Sequence, residues 1–226
     1  MTMPPLDGPR LRRCLPLLAS LTDAEIAKVS ARSTVRRYAR KERIVEQGTV
    51  TDAMYFVVTG SAHVVMQDSQ ERQTILSTLH AGDYFGEMSL IDGAPHAAGA
   101  ISVQPSEIFI VENSVFAPFL PLPQAVAGHL MRTLVRRLRH ADQNIESLAL
   151  LDVQGRVARV LLDFAVDDGH GDLRISDRIS MTDLGKMIGA SRETVARVMR
   201  EFQDKGLVRI EANGSMSIRA GTASGF

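Results

Sequence analysis

From Ser33 to about Asn113 the apolar residues come in short runs: TVRRYA, RIVEQG, AMYFVVTG, SAHVVM, QTILSTL, AAGAISV and EIFIVEN. Gly48, Gly60, the pair Gly82 and Asp83, and the pair Asp92 and Gly93 stand between them. Short β-rich runs with turn residues and no long helical period predict a β-sandwich or barrel. Ahead of this region, residues 15–30 predict one short helix, with Thr22 as its cap and Glu25 three positions on.

The pattern then changes. Over residues 124–152, Ala127, Met131, Leu134, Leu138, Ala141, Ile145 and Leu148 alternate steps of four and three. That heptad stripe predicts the seam of a two-stranded coiled coil and hence a homodimer. The alternative is a single long helix lying on its own domain. Arg132, Arg136, Arg137 and Arg139 crowd the same helix, and Asp142 is the nearest acid. A solvated basic face and a face that contacts an anion or ligand both fit that cluster.

Val153 to Ala165 reads as an amphipathic helix restarting after Gly155, followed by a loop of Asp167, Asp168, Gly169 and Gly171 and a short strand near Leu173 to Ile175. Ser180 to Val208 predicts a helix, a tight turn and a second helix. Ser180 and Ser191 are the caps, and Gly189 and Ala190 form the turn. Leu184, Met187 and Ile188 face the core from the first helix, and Val195, Val198, Met199 and Phe202 from the second. Arg192, Glu193 and Arg197 can then point away from that core together. Leu207 to Ile210 and Ser215 to Ile218 flank Asn213 and Gly214, a hairpin signal. Helix, turn, helix and hairpin make a winged helix-turn-helix, whose second helix enters the major groove by its N-terminal end. Arg209 in the wing is a candidate phosphate contact.

Composition narrows the picture. The chain has 226 residues, 45% of them hydrophobic, enough for one large domain or two small ones. Net charge is formally zero, which argues against a nonspecific polycation but not against a specific DNA-binding dimer. From Arg192 to Arg209 there are five basic and three acidic residues, a modest local excess. No run approaches the length of a membrane span, the apolar part of LRRCLPLLAS is short for a signal peptide, and the expected location is cytoplasmic. Cys14 is the single cysteine, so a disulfide within the chain and a four-cysteine cluster are excluded.

Three motifs, in this order, carry a resemblance: GDYFGEMSLIDGAPHAAGAIS, LDVQGRVARVLL and MTDLGKMIGASRETVARVMREFQDKGLV. From about residue 15 to 218 the chain resembles the cyclic-AMP receptor protein and FNR family of bacterial transcription regulators. The resemblance implies an α+β protein in three parts. These are an N-terminal cyclic-nucleotide-binding-type β jelly roll (15–123), a long dimerisation helix (124–152) and a C-terminal winged helix-turn-helix (153–226). It also implies a homodimer on double-stranded palindromic DNA, RNA polymerase as a partner, and activation or repression of transcription. Ser191, Arg192, Glu193, Arg197 and Arg209 are the implied DNA-binding residues. Arg192, Glu193 and Arg197 match the family's base-reading trio, with a half-site resembling TGTGA. Arginine suits the O6 and N7 acceptors of guanine, and glutamate accepts from cytosine N4. The bland alternative is an ion pair within the helix between Glu193 and Arg197, four residues apart.

For the effector the resemblance points to Gly86, Glu87, His96, Ala97, Arg136, Arg137 and Asp142. Gly86 and Glu87 match the family's ribose-binding pair. The positions of its phosphate-binding arginine and serine fall on His96 and Ala97, and those facing the adenine on Ala141 and Asp142. A mostly neutral histidine and an alanine lack the charged fork that holds a buried phosphate. This speaks against cyclic AMP. It leaves cyclic di-GMP or another cyclic nucleotide, or an effector-independent regulator whose jelly roll is a structural or protein-interaction domain. His96 is expected first as a solvated loop residue and second as a ligand contact. No nucleophile–base set is recognisable, and His63, His80, His96, His129, His140 and His170 show no metal-ligand spacing, so neither an enzyme nor a metal site is expected.

Overall fold

The computed structural model describes residues 2–3, 8–116, 124–167, 172–176, 178–211 and 214–219. Asp168, Gly169, His170 and Gly171, and Asn213 of the expected hairpin turn, lie outside the described residues. The chain divides into two compact units, residues 1–136 and 137–226.

The first unit opens with β1 (Thr2–Met3), α1 (Gly8–Cys14), a 3-10 turn (Pro16–Leu18) and α2 (Asp23–Ala31). The single helix expected over residues 15–30 is therefore a turn and a separate helix. The cause is the cap. Thr22 Oγ1 accepts from the Glu25 amide at 3.4 Å, and the Glu25 carboxylate accepts from the Thr22 amide at 2.7 Å. This reciprocal capping box starts a helix at Asp23 and excludes one that runs through Thr22.

Eight strands follow: β2 (Ser33–Tyr38), β3 (Arg43–Val45), β4 (Ala53–Thr59), β5 (Ser61–Gln67), β6 (Gln73–His80), β7 (Tyr84–Phe85), β8 (Gly99–Ser102) and β9 (Ser106–Glu112). Two short helices interrupt or follow them, α3 (Glu87–Asp92) and α4 (Asn113–Phe116). The strands form antiparallel sheets ordered β1-β2-β9-β4-β7 and β3-β8-β5-β6, the expected jelly roll. The continuous apolar run of β4 is explained by burial on both faces. Tyr55 and Val57 face a core shared with Tyr38, Val45, Leu79, Phe85 and Ile108. Met54, Phe56 and Val58 face the opposite way, onto Leu11, Leu18, Ile26 and Val29 of the N-terminal segments.

One uninterrupted helix, α5 (Gln124–Leu150), spans the expected heptad region. Val126 is buried in the first core and Leu130 packs against it. Further along, Leu134 is half-buried but four large apolar residues of the stripe stand open. Met131, Leu138, Ile145 and Leu148 are 58–65% exposed in the single chain.

The second unit contains α6 (Val153–Asp163), β10 (Val166–Asp167), β11 (Leu173–Ile175), α7 (Met181–Ile188), α8 (Arg192–Asp204), β12 (Val208–Ile210) and β13 (Met216–Ile218). The expected restart of α6 after Gly155 is corrected. Asp152 Oδ1 accepts from the Gly155 amide at 2.8 Å, so the cap lies earlier and Gly155 sits inside the first turn. The strands form one sheet, β10-β11-β13-β12, with Val208 opposite Ile218 in the wing hairpin. Val157, Leu161, Ile175, Leu184, Ile188, Val195, Val198, Met199 and Phe202 fill the core under it. Each such side chain, fully buried, contributes about 1.5–3 kcal/mol relative to exposure.

Candidate functional site

Helices α7 and α8 are set by their caps. Ser180 Oγ accepts from the Asp183 amide at 3.0 Å and donates to the Asp183 carboxylate at 2.6 Å, which starts α7. Ser191 Oγ accepts from the Thr194 amide at 3.1 Å, which starts α8. Gly185 lets the turn close on α7. The Ala190 amide donates to the Gly185 carbonyl at 3.0 Å, and a Cβ at Gly185 would stand 2.7 Å from the Ala190 carbonyl oxygen. The two helices are thereby packed closely through their connecting turn.

Burial of Val195, Val198, Met199 and Phe202 fixes the rotation of α8. Ser191, Arg192, Glu193 and Arg197 are left exposed on its N-terminal half, and Arg209 is exposed on β12 opposite Ser217. The first-turn position of Glu193 suits the helix dipole. Its carboxyl is held below the ordinary carboxylate range by its own backbone amide, then by Ser191, so it is an acceptor at neutral pH. Arg197 makes its ion pair forward rather than back. Its Nη1 lies 3.1 Å from Glu201 Oε1, so the expected alternative partner Glu193 is not the one used.

In the jelly roll, Gly86 caps α3 in the left-handed region at φ +87°. A Cβ there would press on the Ala53 carbonyl and the Tyr55 ring at 3.0 Å, so the tight strand-to-helix junction requires glycine. Glu87, the first residue of α3, is buried. His96 is only 6% exposed, which overturns its expectation as a solvated loop residue. The reason is a set of remote polar partners. Its Nε2 lies 2.5 Å from Thr51 Oγ1 and its Nδ1 3.0 Å from Ser89 Oγ. Tyr55 donates to Thr51 at 3.2 Å and sets its ring edgewise to the imidazole. The His96 amide and carbonyl are also used, by Thr49 and Gly48.

Burial holds the His96 ring below its usual pKa, against an opposing pull from Glu87. Neutral imidazole has one donor and one acceptor. Both nitrogens are engaged, so a ligand phosphate at His96 must displace a hydroxyl. Ala97 is exposed beside it. Arg136 and Asp142 are exposed on α5, and Arg137 is half-buried there. Among the described residues no group of His, Cys, Asp and Glu is arranged to hold a metal, and no helix is long and apolar enough to cross a membrane.

Thr51, Tyr55 and Ser89 were not legible as partners of His96, because nothing in local spacing joins them. Glu201 carries a weak signal, four residues beyond Arg197 on the same helix. Gln154, which donates to the other Glu201 oxygen at 2.6 Å, carries none.

A jelly roll followed by a long helix and a winged helix-turn-helix defines a DNA-binding regulator with a cyclic-nucleotide-type β domain. Residues 35–120 match the cyclic nucleotide-binding domain, and residues 155–220 the Crp-like helix-turn-helix domain. The cAMP-activated global transcriptional regulator CRP of Pasteurella multocida is 31% identical over 192 residues, 83% of this chain and 90% of that protein. The chain belongs to the CRP/FNR family of bacterial transcription regulators, which are transcription factors and not enzymes. Among solved structures, the Thermus thermophilus Catabolite Activator Protein is 29% identical with a TM-score of 0.51, covering 92% of this chain and 95% of that one. The c-di-GMP responsive global regulator CLP of Xanthomonas campestris shares the fold at a TM-score of 0.71 and 23% identity, over 89% of this chain and 100% of that one.

Proposed function

We propose that the chain acts in the cytoplasm as a homodimer on an inverted-repeat DNA site, where it controls transcription together with RNA polymerase. Residues 15–123 form its effector domain, 124–152 its dimer helix and 153–226 its DNA-binding domain. The observation that carries the reading is the pairing of two exposed features. One is the apolar stripe of Met131, Leu138, Ile145 and Leu148, the other the polar face of α8. A second copy of α5 covers the stripe and excludes water from it. It also places two reading helices at successive major-groove faces, roughly 34–36 Å apart.

In this reading Arg192 and Arg197 bond guanine O6 and N7, and Glu193 accepts from cytosine N4. Ser191 and Arg209 contact phosphate and set the register. A gel shift tests it, with a duplex of about 30 base pairs (three helical turns) carrying an inverted TGTGA-like repeat beside a scrambled duplex. Retardation of the first alone is expected; equal retardation contradicts the reading.

The effector assigned for testing is cyclic di-GMP, to which the Xanthomonas protein of the same fold is described as responsive. Its candidate contacts are two sets taken separately: Gly86, Glu87, His96 and Ala97 in the β domain, and Arg136, Arg137 and Asp142 on α5. A second reading, an effector-independent regulator, draws on the His96 network, in which Thr51 and Ser89 already occupy both ring nitrogens. Calorimetric titration of cyclic AMP, cyclic GMP and cyclic di-GMP, with and without operator DNA, separates the two. A true effector changes DNA affinity by the factor by which DNA changes its own. Silence from all three nucleotides favours the second reading.

A further inference from the structure

We propose that Glu201 is a positioning residue for Arg197, and that the relay Gln154–Glu201–Arg197 sets discrimination at one base of the half-site. The inference rests on the reading of Arg197 as a base contact and goes one residue behind it.

Glu201 Oε1 lies 3.1 Å from Arg197 Nη1, and Glu201 Oε2 accepts from Gln154 Nε2 at 2.6 Å. Both carboxylate oxygens are therefore engaged. One partner lies one turn back on the same helix. The other comes from α6, so tertiary packing as well as helical spacing fixes the carboxylate.

Glu201 lies in the C-terminal part of α8, where the helix dipole by itself disfavours an anion. A surface ion pair of this kind adds little to stability. The arrangement makes better sense as control of the guanidinium. Arginine has five donors in a planar fork, and one edge can rest on Glu201 while another faces a base. A free arginine side chain samples many rotamers and reaches phosphates as readily as guanine. Tethered to a fixed carboxylate, it meets one base edge with less conformational loss. The same carboxylate repels phosphate, so misplaced complexes lose affinity.

The test is fluorescence anisotropy at fixed salt on the inverted repeat and on duplexes with each half-site base changed symmetrically. Wild type, Arg197→Ala, Glu201→Gln, the double variant and Gln154→Ala are compared. Arg197→Ala is expected to lose discrimination at one guanine. Glu201→Gln is expected to lose about threefold to thirtyfold at that same guanine, with little change elsewhere and little further loss in the double variant. Binding to scrambled DNA should tighten. Gln154→Ala should give a smaller loss at the same base without changing charge, and it carries the test if Glu201→Gln melts early. Unchanged discrimination at that guanine, or a loss spread evenly over all positions, overturns the relay while the reading of Arg197 stands. If Arg197→Ala shows no base-selective loss, that reading falls and the relay with it.

Discussion

Nδ1 of His96 lies 3.0 Å from the hydroxyl of Ser89, on the helix that Gly86 and Glu87 begin. Through Nε2 the same ring reaches Thr51 on the segment leading into β4. One titratable side chain thus joins two segments of the β domain.

That burial makes stability pH-dependent with a definite sign. The folded ring resists protonation, chiefly through burial and despite Glu87, whereas the unfolded chain protonates near the ordinary value of 6.5. Below that value the unfolded state binds more protons, so stability falls as pH drops from about 6.5 toward the lowered folded value. Urea midpoints between pH 7.5 and 5, compared with those of His96→Gln, check this. The variant should lose part of the slope; identical slopes contradict the assignment.

The exposed apolar stripe of α5 gives a second test. Leu138→Lys places a charge in the middle of the heptad stripe at a position 62% exposed in the single chain. Sedimentation should show a shift from two chains to one at micromolar concentration, with little change in helical content. An unchanged mass argues that the stripe is not the pairing surface.

The Ser191 cap of α8 gives a third test. Ser191→Ala removes the acceptor for the Thr194 amide. It should cost the winged unit about 1 kcal/mol, read as a lower melting temperature without DNA. No change would place the start of α8 under other control.

The core beneath β4 predicts a larger effect. Phe56 is fully buried, with ring centroids 5.9 Å from Tyr84 and 6.1 Å from Phe109. Phe56→Ala should destabilise the β domain by about 3–5 kcal/mol, seen in chemical denaturation. A loss below 1 kcal/mol, small beside the usual cost, shows that the site collapses around the cavity.

Much of this architecture is legible in the sequence because its signals are local. The run AMYFVV and the caps Ser180 and Ser191 act on their neighbours, and the stripe from Ala127 to Leu148 needs only helical spacing. Residues 15–30 were harder, since Thr22 can cap a helix only where the chain before it stops being one. The burial of His96 is not legible, because its loop sequence looks solvated and its partners Thr51 and Ser89 lie forty-five and seven residues away. The Gln154–Glu201 contact spans forty-seven residues and follows only from how α6 packs on α8.

The central claim is that paired chains read two half-sites at a fixed groove-to-groove distance. Anisotropy titration on an inverted TGTGA-like repeat tests it, beside the same repeat with its halves moved apart by about half a helical turn, roughly 5 base pairs. Tight binding to the first duplex is expected, and affinity no better than scrambled DNA for the second. Equal affinity for both, from a species with the mass of one chain, would contradict it.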